Sequence, residues 1–243
     1  MAWTKSAKYI VWGTTTVLVI AAAVFFFLRW HDPKRRAIAK AEVAIEKQYV
    51  EPVDMTSYVT TPASYFAQIK QFPAWGTVPT GFQVFDNIPI QIDGMICLYG
   101  EGNAKMGITF PESYNGIMMN KKFETLYIYH GCFFESPKDT PVYEVVFNYA
   151  DNTSETNQVL YGDDVVDWMV RIRGAGPSGP RSKLAWQAKP PLPPKVPAVR
   201  FCLTAIDNPY PSFEVVSIDL HSLKSRTAPC ILAITTGRKG QLK

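Results

Sequence analysis

The residues best equipped for chemistry lie in one short run, YGDDVVDWMV (161–170), which holds Asp163, Asp164, Asp167 and Trp168. Two nearby carboxylates can share acid and base roles, as in glycoside hydrolysis. Several carboxylate oxygens in a tight loop can hold calcium, and DNTSE (151–155) offers more of them, which makes Asp151, Asp163 and Asp164 the calcium candidates. Neither reading finds support elsewhere in the chain. No regular calcium-loop spacing is present, and no second group supplies a matching nucleophile or base. The expectation is therefore architectural and non-enzymatic. Asp164 and Asp167 accept hydrogen bonds from backbone donors in a turn, and Trp168 covers a core edge. No cofactor is implied beyond a structural calcium.

The remaining reactive side chains are scattered. His130 and Cys132 in YIYHGC fall on one face of a strand, where a Cys–His nucleophile pair would also need a third, orienting group. A buried, hydrogen-bonded histidine beside a core thiol accounts for the same pattern. His31 and His221 are far apart in sequence, which argues against a histidine-rich metal or haem site. Cys97, Cys132, Cys202 and Cys230 form no C-x-x-C pair, so zinc and thioredoxin-like chemistry are set aside, while disulfide pairing stays open. The glycines of YGEGNAKMG do not follow a strand and open a helix as a phosphate loop does.

The elements that must position these residues read as strands. FQVFDNIPIQI, GMICLYG, TLYIYHGCFF, AVRFCLTAID, FEVVSIDLHS and APCILAITT are apolar or alternating, with little helical pattern between them. PVYEVVFNYADNTSETNQVLYG reads as two strands around a polar turn at 151–154. In FEVVSIDL, alternation places Phe213, Val215, Ser217 and Asp219 on one face and Glu214, Val216, Ile218 and Leu220 on the other. The pattern is that of an antiparallel β-sandwich over 54–237, interrupted by a proline-rich loop at 174–198 whose seven prolines favour an extended shape, and followed by a basic tail at 238–243.

Ahead of the sandwich, residues 9–28 (YIVWGTTTVLVIAAAVFFFL) carry no charge and are long enough to span a bilayer. They define an uncleaved single-pass transmembrane helix within 1–30, since RWHDPKRR after them offers no small-residue cleavage site. Residues 31–53 read as a juxtamembrane helix and linker, capped by Asp32 with Pro33 at its first position. Lys5 and Lys8 precede the span, whereas Arg29, Lys34, Arg35, Arg36 and Lys40 follow it, which leans toward a cytoplasmic C-terminal domain. Net charge is +4 and no arginine-rich run is interleaved with aromatics, so nucleic acid is not an expected partner.

GFQVFDNIPIQIDGMICL, FPESYNGIMMNKKFETLYIYHG, PVYEVVFNYADN, YGDDVVDW, LAW and DNPYPSFEVVSIDL…APCILAIT occur in an order that resembles a bacterial β-sandwich module of Verrucomicrobia and Planctomycetes, similar to galactose-binding-like and discoidin-like jelly rolls. The resemblance spans roughly 54–236. It implies an extracytoplasmic, hence periplasmic, domain on an inner-membrane anchor, against the lean of the flanking charges, and it brings no catalytic residues. Asp164, Asp167 and Trp168 match the module's Y-G-x-D-V-x-D-W run, but Met169 stands where a second aromatic is usual. Asn208 and Pro209 match W-x-N-P, with Ile206 in place of the tryptophan, and DNIPI stands where GGVPF is common. Two aromatics of a sugar-facing surface are thus missing. The uncleaved anchor, the missing aromatics, the proline-rich loop and the lack of a catalytic set together point to a non-catalytic accessory subunit that packs on partner proteins in a membrane complex. The alternative is a tethered carbohydrate-binding module using Trp168, Trp186, Tyr210 and Asn208, with Trp75 as a further stacking candidate.

Overall fold

Apolar runs too short and too rich in β-branched and aromatic residues for helices pair here into antiparallel sheets. The computed structural model describes residues 50–68, 73–170, 176–188 and 198–242. Among them no helix is long and apolar enough to cross a membrane. The apolar stretch 9–28 and the helix expected over 31–48 lie outside the described residues.

The described strands are β1 (Glu51–Pro52), β2 (Thr61–Pro62), β3 (Gly81–Phe85), β4 (Ile88–Ile92), β5 (Gly94–Cys97), β6 (Ser113–Lys121), β7 (Thr125–Phe133), β8 (Pro141–Tyr149), β9 (Ser154–Leu160), β10 (Met169–Val170), β11 (Ser182–Gln187), β12 (Ala198–Asp207), β13 (Val215–Ser222) and β14 (Ala228–Gly237). The larger sheet runs β10-β12-β7-β14-β5-β2, with β1 also on β14 and β11 also on β12. A four-stranded sheet runs β6-β13-β8-β9, and β3 and β4 form a separate hairpin.

Two cores follow from this layering. Between the two large sheets, Ile96, Ile128 and Ile234 meet Ile117, Val145, Phe147 and Leu220. On the opposite face of the larger sheet, Tyr129, Phe201 and Leu232 pack against Ile88, Ile90 and Ile92 of the hairpin and against Phe66 and Trp75 from two 3₁₀ segments, Ala63–Gln68 and Pro73–Thr77. The central strands are therefore covered on both sides. Every residue of β14 is buried, as are eight of the nine in β7. This is why their sequences run apolar without alternation.

Five details depart from the sequence reading. FQVFDNIPIQI is not one strand but β3 and β4, joined by a two-residue turn. Asp86 and Asn87 both take positive φ (53° and 65°), the backbone twist such hairpins require. SYNGIMMNK, with its polar and glycine content, forms β6, which buries only Ile117 and Met119. Part of the proline-rich stretch expected as a loop is β11, paired with β12 from Ser182↔Thr204 onward. The strict alternation expected in FEVVSIDL fails at its start. A register shift between Val215 and Ser217 flips the parity, so Val215 joins Ile218 and Leu220 in the core instead of facing outward with Ser217 and Asp219. The sheet also takes in residues 51–53, assigned above to the linker: β1 pairs with β14, and Val53 is buried.

Candidate functional site

The run 161–170 leaves β9 through a tight turn. Gly162 has φ of 85°, and its N–H donates to the Val165 carbonyl at 2.8 Å. The turn directs Asp164 inward and Asp163 outward. Asp164 is 2% exposed. It accepts from the Leu160 N–H at 2.9 Å and takes a two-pronged bond from Arg181, Nε to Oδ1 at 2.8 Å and Nη2 to Oδ2 at 2.7 Å. Arg181 also donates to the Gln158 carbonyl. Asp163 instead pairs at the surface with Lys138 at 3.0 Å and accepts from Ser178 at 2.9 Å. The Lys138 and Ser178 hydrogen bonds hold its carboxyl below the usual range.

Below Asp164 lies a buried polar chain. Its carbonyl accepts from Ser182 Oγ at 2.6 Å and Thr204 Oγ1 at 2.9 Å. Thr204 meets His130 Nε2 at 2.7 Å, and His130 Nδ1 meets the Tyr143 hydroxyl at 2.6 Å. One proton assignment satisfies the chain: Tyr143 O–H donates to Nδ1, Nε2–H donates to Thr204, and Thr204 donates to the Asp164 carbonyl. That assignment needs a neutral imidazole. Burial supplies it, pushing the His130 pKa down to about 4 despite the opposing pull of Asp164. Burial likewise pushes the Tyr143 hydroxyl well up, which keeps it a donor.

Asp167 and Trp168 stitch the same run to the larger sheet. Asp167 Oδ1 accepts from the Met169 N–H at 2.9 Å, and its carbonyl accepts from Arg200 Nε at 2.9 Å. The Trp168 N–H reaches the Cys132 carbonyl at 2.9 Å, while its own carbonyl accepts from the Arg200 N–H at 2.8 Å. The carboxylates thus divide among separate partners. The calcium candidates Asp151, Asp163 and Asp164 do not converge: among the described residues no group of three or more His, Cys, Asp or Glu could hold a metal. Asp151 is used locally, accepting from the N–H and hydroxyl of Thr153 at 3.0 and 2.6 Å.

Replacing Gly162 by Ala tests the turn. The new Cβ would stand 3.0 Å from Lys138 Cγ in a backbone conformation that L-residues rarely adopt. A loss of about 1–2 kcal/mol is expected in urea unfolding; an unchanged midpoint would show that the turn tolerates a side chain.

His130 and Cys132 do not form a nucleophile pair. The imidazole nitrogens are committed to Tyr143 and Thr204, and burial pushes the Cys132 thiol well above its ordinary range. All four cysteines are buried free thiols.

The aromatic candidates separate in the same way. Trp168 is 2% exposed and lies 5.1 Å from Trp75, which is 1% exposed; both rings fill the second core with Phe201. Neither can stack on a sugar. Trp186 is half-buried and stacks on Phe201 at 6.3 Å. Asn208 is buried and serves the backbone, donating from Nδ2 to the Phe123 carbonyl at 2.9 Å. Of the four binding candidates, Tyr210 is the exposed one, at 47%.

Tyr210 lines a surface cleft. This cleft, about 260 Å³, lies at the β8–β9 turn and is walled by Tyr149, Tyr210 and Phe213, with Asp151, Thr153 and Glu155 at its edge. Tyr149, Phe213 and Glu155 were not singled out from sequence. The signal available was the aromatic spacing in NPYPSF beside a hairpin whose first strand ends in tyrosine. A second cleft, about 300 Å³, includes Arg181, Asp207 and Lys239, but its charges are already engaged, Arg181 with Asp164 and Lys239 with Asp207 at 2.7 Å.

No protein-family model, curated protein or solved structure matches the chain.

Proposed function

We propose that this chain is a non-catalytic, membrane-anchored accessory subunit. Its β-sandwich, a jelly roll of the galactose-binding-like kind, stands on the periplasmic side of the inner membrane and docks on partner proteins of a multi-subunit complex. The observation that carries this reading is the outer face of β3. Phe82 and Val84 alternate along it at 63% and 57% exposure, above a hairpin whose other side is core. Apolar side chains grouped on the outer face of a two-stranded hairpin are a feature of surfaces that meet other proteins. The engagement of Asp163, Asp164, Asp167 and His130 in internal hydrogen bonds supports a structural role for them, and the uncharged stretch 9–28 supports an anchor.

The test is gentle detergent extraction of native membranes, followed by affinity capture of the chain and mass spectrometry. The expected result is stoichiometric recovery of a defined set of membrane proteins, reduced when Phe82→Asp is introduced. Recovery of the lone chain, together with specific signal on a glycan array, would replace this reading with carbohydrate binding through Tyr210 and Trp186.

A further inference from the structure

Tyr149, Tyr210 and Phe213 form a corner, with Tyr149 as its buried floor (4% exposed) and Tyr210 and Phe213 as walls, each 47% exposed. Their centroids are 5.9, 6.5 and 6.2 Å apart, and each pair is inclined by 74–78°. Flat sugar rings call for a broad aromatic platform. Mutually perpendicular rings instead offer π-faces from several directions to a compact group. The edge of the cleft is acidic: Asp151 and Glu155 line it, and among the described residues no Lys or Arg does. Among the described residues Glu155 has no ion-pair partner. The Thr153 hydrogen bonds hold the Asp151 carboxyl below its usual range, so it is charged at neutral pH.

The walls are fixed before any ligand arrives. Asn208 Oδ1 accepts from the Tyr149 hydroxyl at 2.6 Å and from the Tyr210 N–H at 3.0 Å, while Nδ2 ties the amide to the Phe123 carbonyl. The Phe213 N–H closes on the Tyr210 carbonyl at 3.0 Å. One buried amide thus sets the positions of two rings, and a short turn sets the third. Such preorganisation lowers the entropy cost of binding.

We propose that this cleft binds the cationic end of a basic side chain, a lysine ammonium or an arginine guanidinium, carried by the partner protein. The proposal rests on the partner-binding reading above and supplies its chemistry. Three features select the occupant. The ring faces attract a cation. A volume near 260 Å³ admits a side-chain end more readily than an oligosaccharide. Carboxylates at the edge reward a cation with N–H donors over a quaternary ammonium, which has none to give.

The experiment is an NMR titration of the full-length chain in a non-ionic detergent, with ¹³C-labelled tyrosine and phenylalanine. The probes are Nα-acetyl-lysine amide, Nα-acetyl-arginine amide, tetramethylammonium, Nα-acetyl-norleucine amide and galactose. The two basic amides are expected to shift the Tyr149, Tyr210 and Phe213 resonances with millimolar dissociation constants. Tetramethylammonium should bind more weakly, and norleucine amide and galactose should leave those resonances in place. Tyr210→Ala and Glu155→Gln, both outside the core, should keep the melting temperature and weaken the basic amides by about threefold to thirtyfold. Norleucine amide or galactose binding as tightly as lysine amide would overturn the proposal, as would tetramethylammonium matching it or Tyr210→Ala leaving the affinity unchanged. Membrane capture separates this proposal from the reading beneath it. A partner retained by Tyr210→Ala would sink the cationic contact and leave the subunit reading standing. A parent chain recovered alone would sink the subunit reading, whatever the titration shows.

Discussion

Asp164→Ala lowers the unfolding free energy by about 3–5 kcal/mol, the range for removing one partner of a buried ion pair. The side chain of Asp164 is 3% exposed and that of Arg181 34%, so the substitution strands a guanidinium that only part of the solvent can reach, along with the Leu160 N–H. Because Arg181 recovers some hydration, the result should fall toward the lower end. At this chain length it corresponds to a drop in melting temperature of roughly 6–20 °C. Arg181→Ala alone should cost less, and the double variant should cost less than the sum of the two, because Asp164 and Arg181 stabilise chiefly each other. Additive losses would mean that the fork between them contributes nothing. An unchanged melting temperature in Asp164→Ala would return this carboxylate to the list of functional groups.

Acidification should destabilise the domain through His130. The folded protein holds this imidazole neutral to about pH 4, whereas the unfolded chain takes up the proton near the ordinary value of 6.5. Between those limits the unfolded state binds more protons, so stability falls as pH falls. The contribution is fully present above pH 6.5 and is lost progressively down to about pH 4, on the order of 3 kcal/mol in all. Protonation would place a second donor on Nδ1 against the Tyr143 hydroxyl, which burial keeps protonated. Urea unfolding of the parent and of His130→Gln, each at pH 7 and pH 4.5, isolates the effect, since carboxylate titrations are common to both. The parent should lose more than the variant on acidification. Parallel losses would show that His130 does not titrate in this window.

These two groups also show what the sequence made legible. The turn role of Asp164 and Asp167 followed from carboxylates beside a glycine with no catalytic companion, and the buried-histidine alternative for His130 followed from its place in an apolar strand. The network that joins them did not follow. Arg181 lies 17 residues beyond Asp164 inside a stretch dominated by prolines, and Thr204 lies 74 residues beyond His130. Only strand pairing brings such positions together. The same holds for the fold. The strands at 198–207 and 228–237 and the hairpin at 141–160 were readable because continuous apolar runs or a polar turn mark them. Asp86 and Asn87 hid a turn inside an apparently single strand, β6 carried too many polar residues to stand out, and the bulge at Val215 reversed a parity that simple alternation would have kept. In the candidate site, Asn208 was found through the match to W-x-N-P and Tyr210 as an aromatic able to stack on a sugar. Tyr149, Phe213 and Glu155 belong to it because the β8–β9 turn and the segment before β13 close on the same corner.

The placement of β14 bears on how such a domain comes into being. This strand lies in the middle of the larger sheet, hydrogen-bonded along β7 and touching β5, and at its far end the Thr236 hydroxyl bonds to the Glu51 carbonyl across 185 residues. Neither core can close while Ala228–Gly237 is still missing from a nascent chain, because the central slot of the sheet is empty. High contact order of this kind slows folding and postpones it until synthesis of the domain is complete. A chain that stays open this long is also one that a translocation pore can thread, as the periplasmic placement proposed above requires.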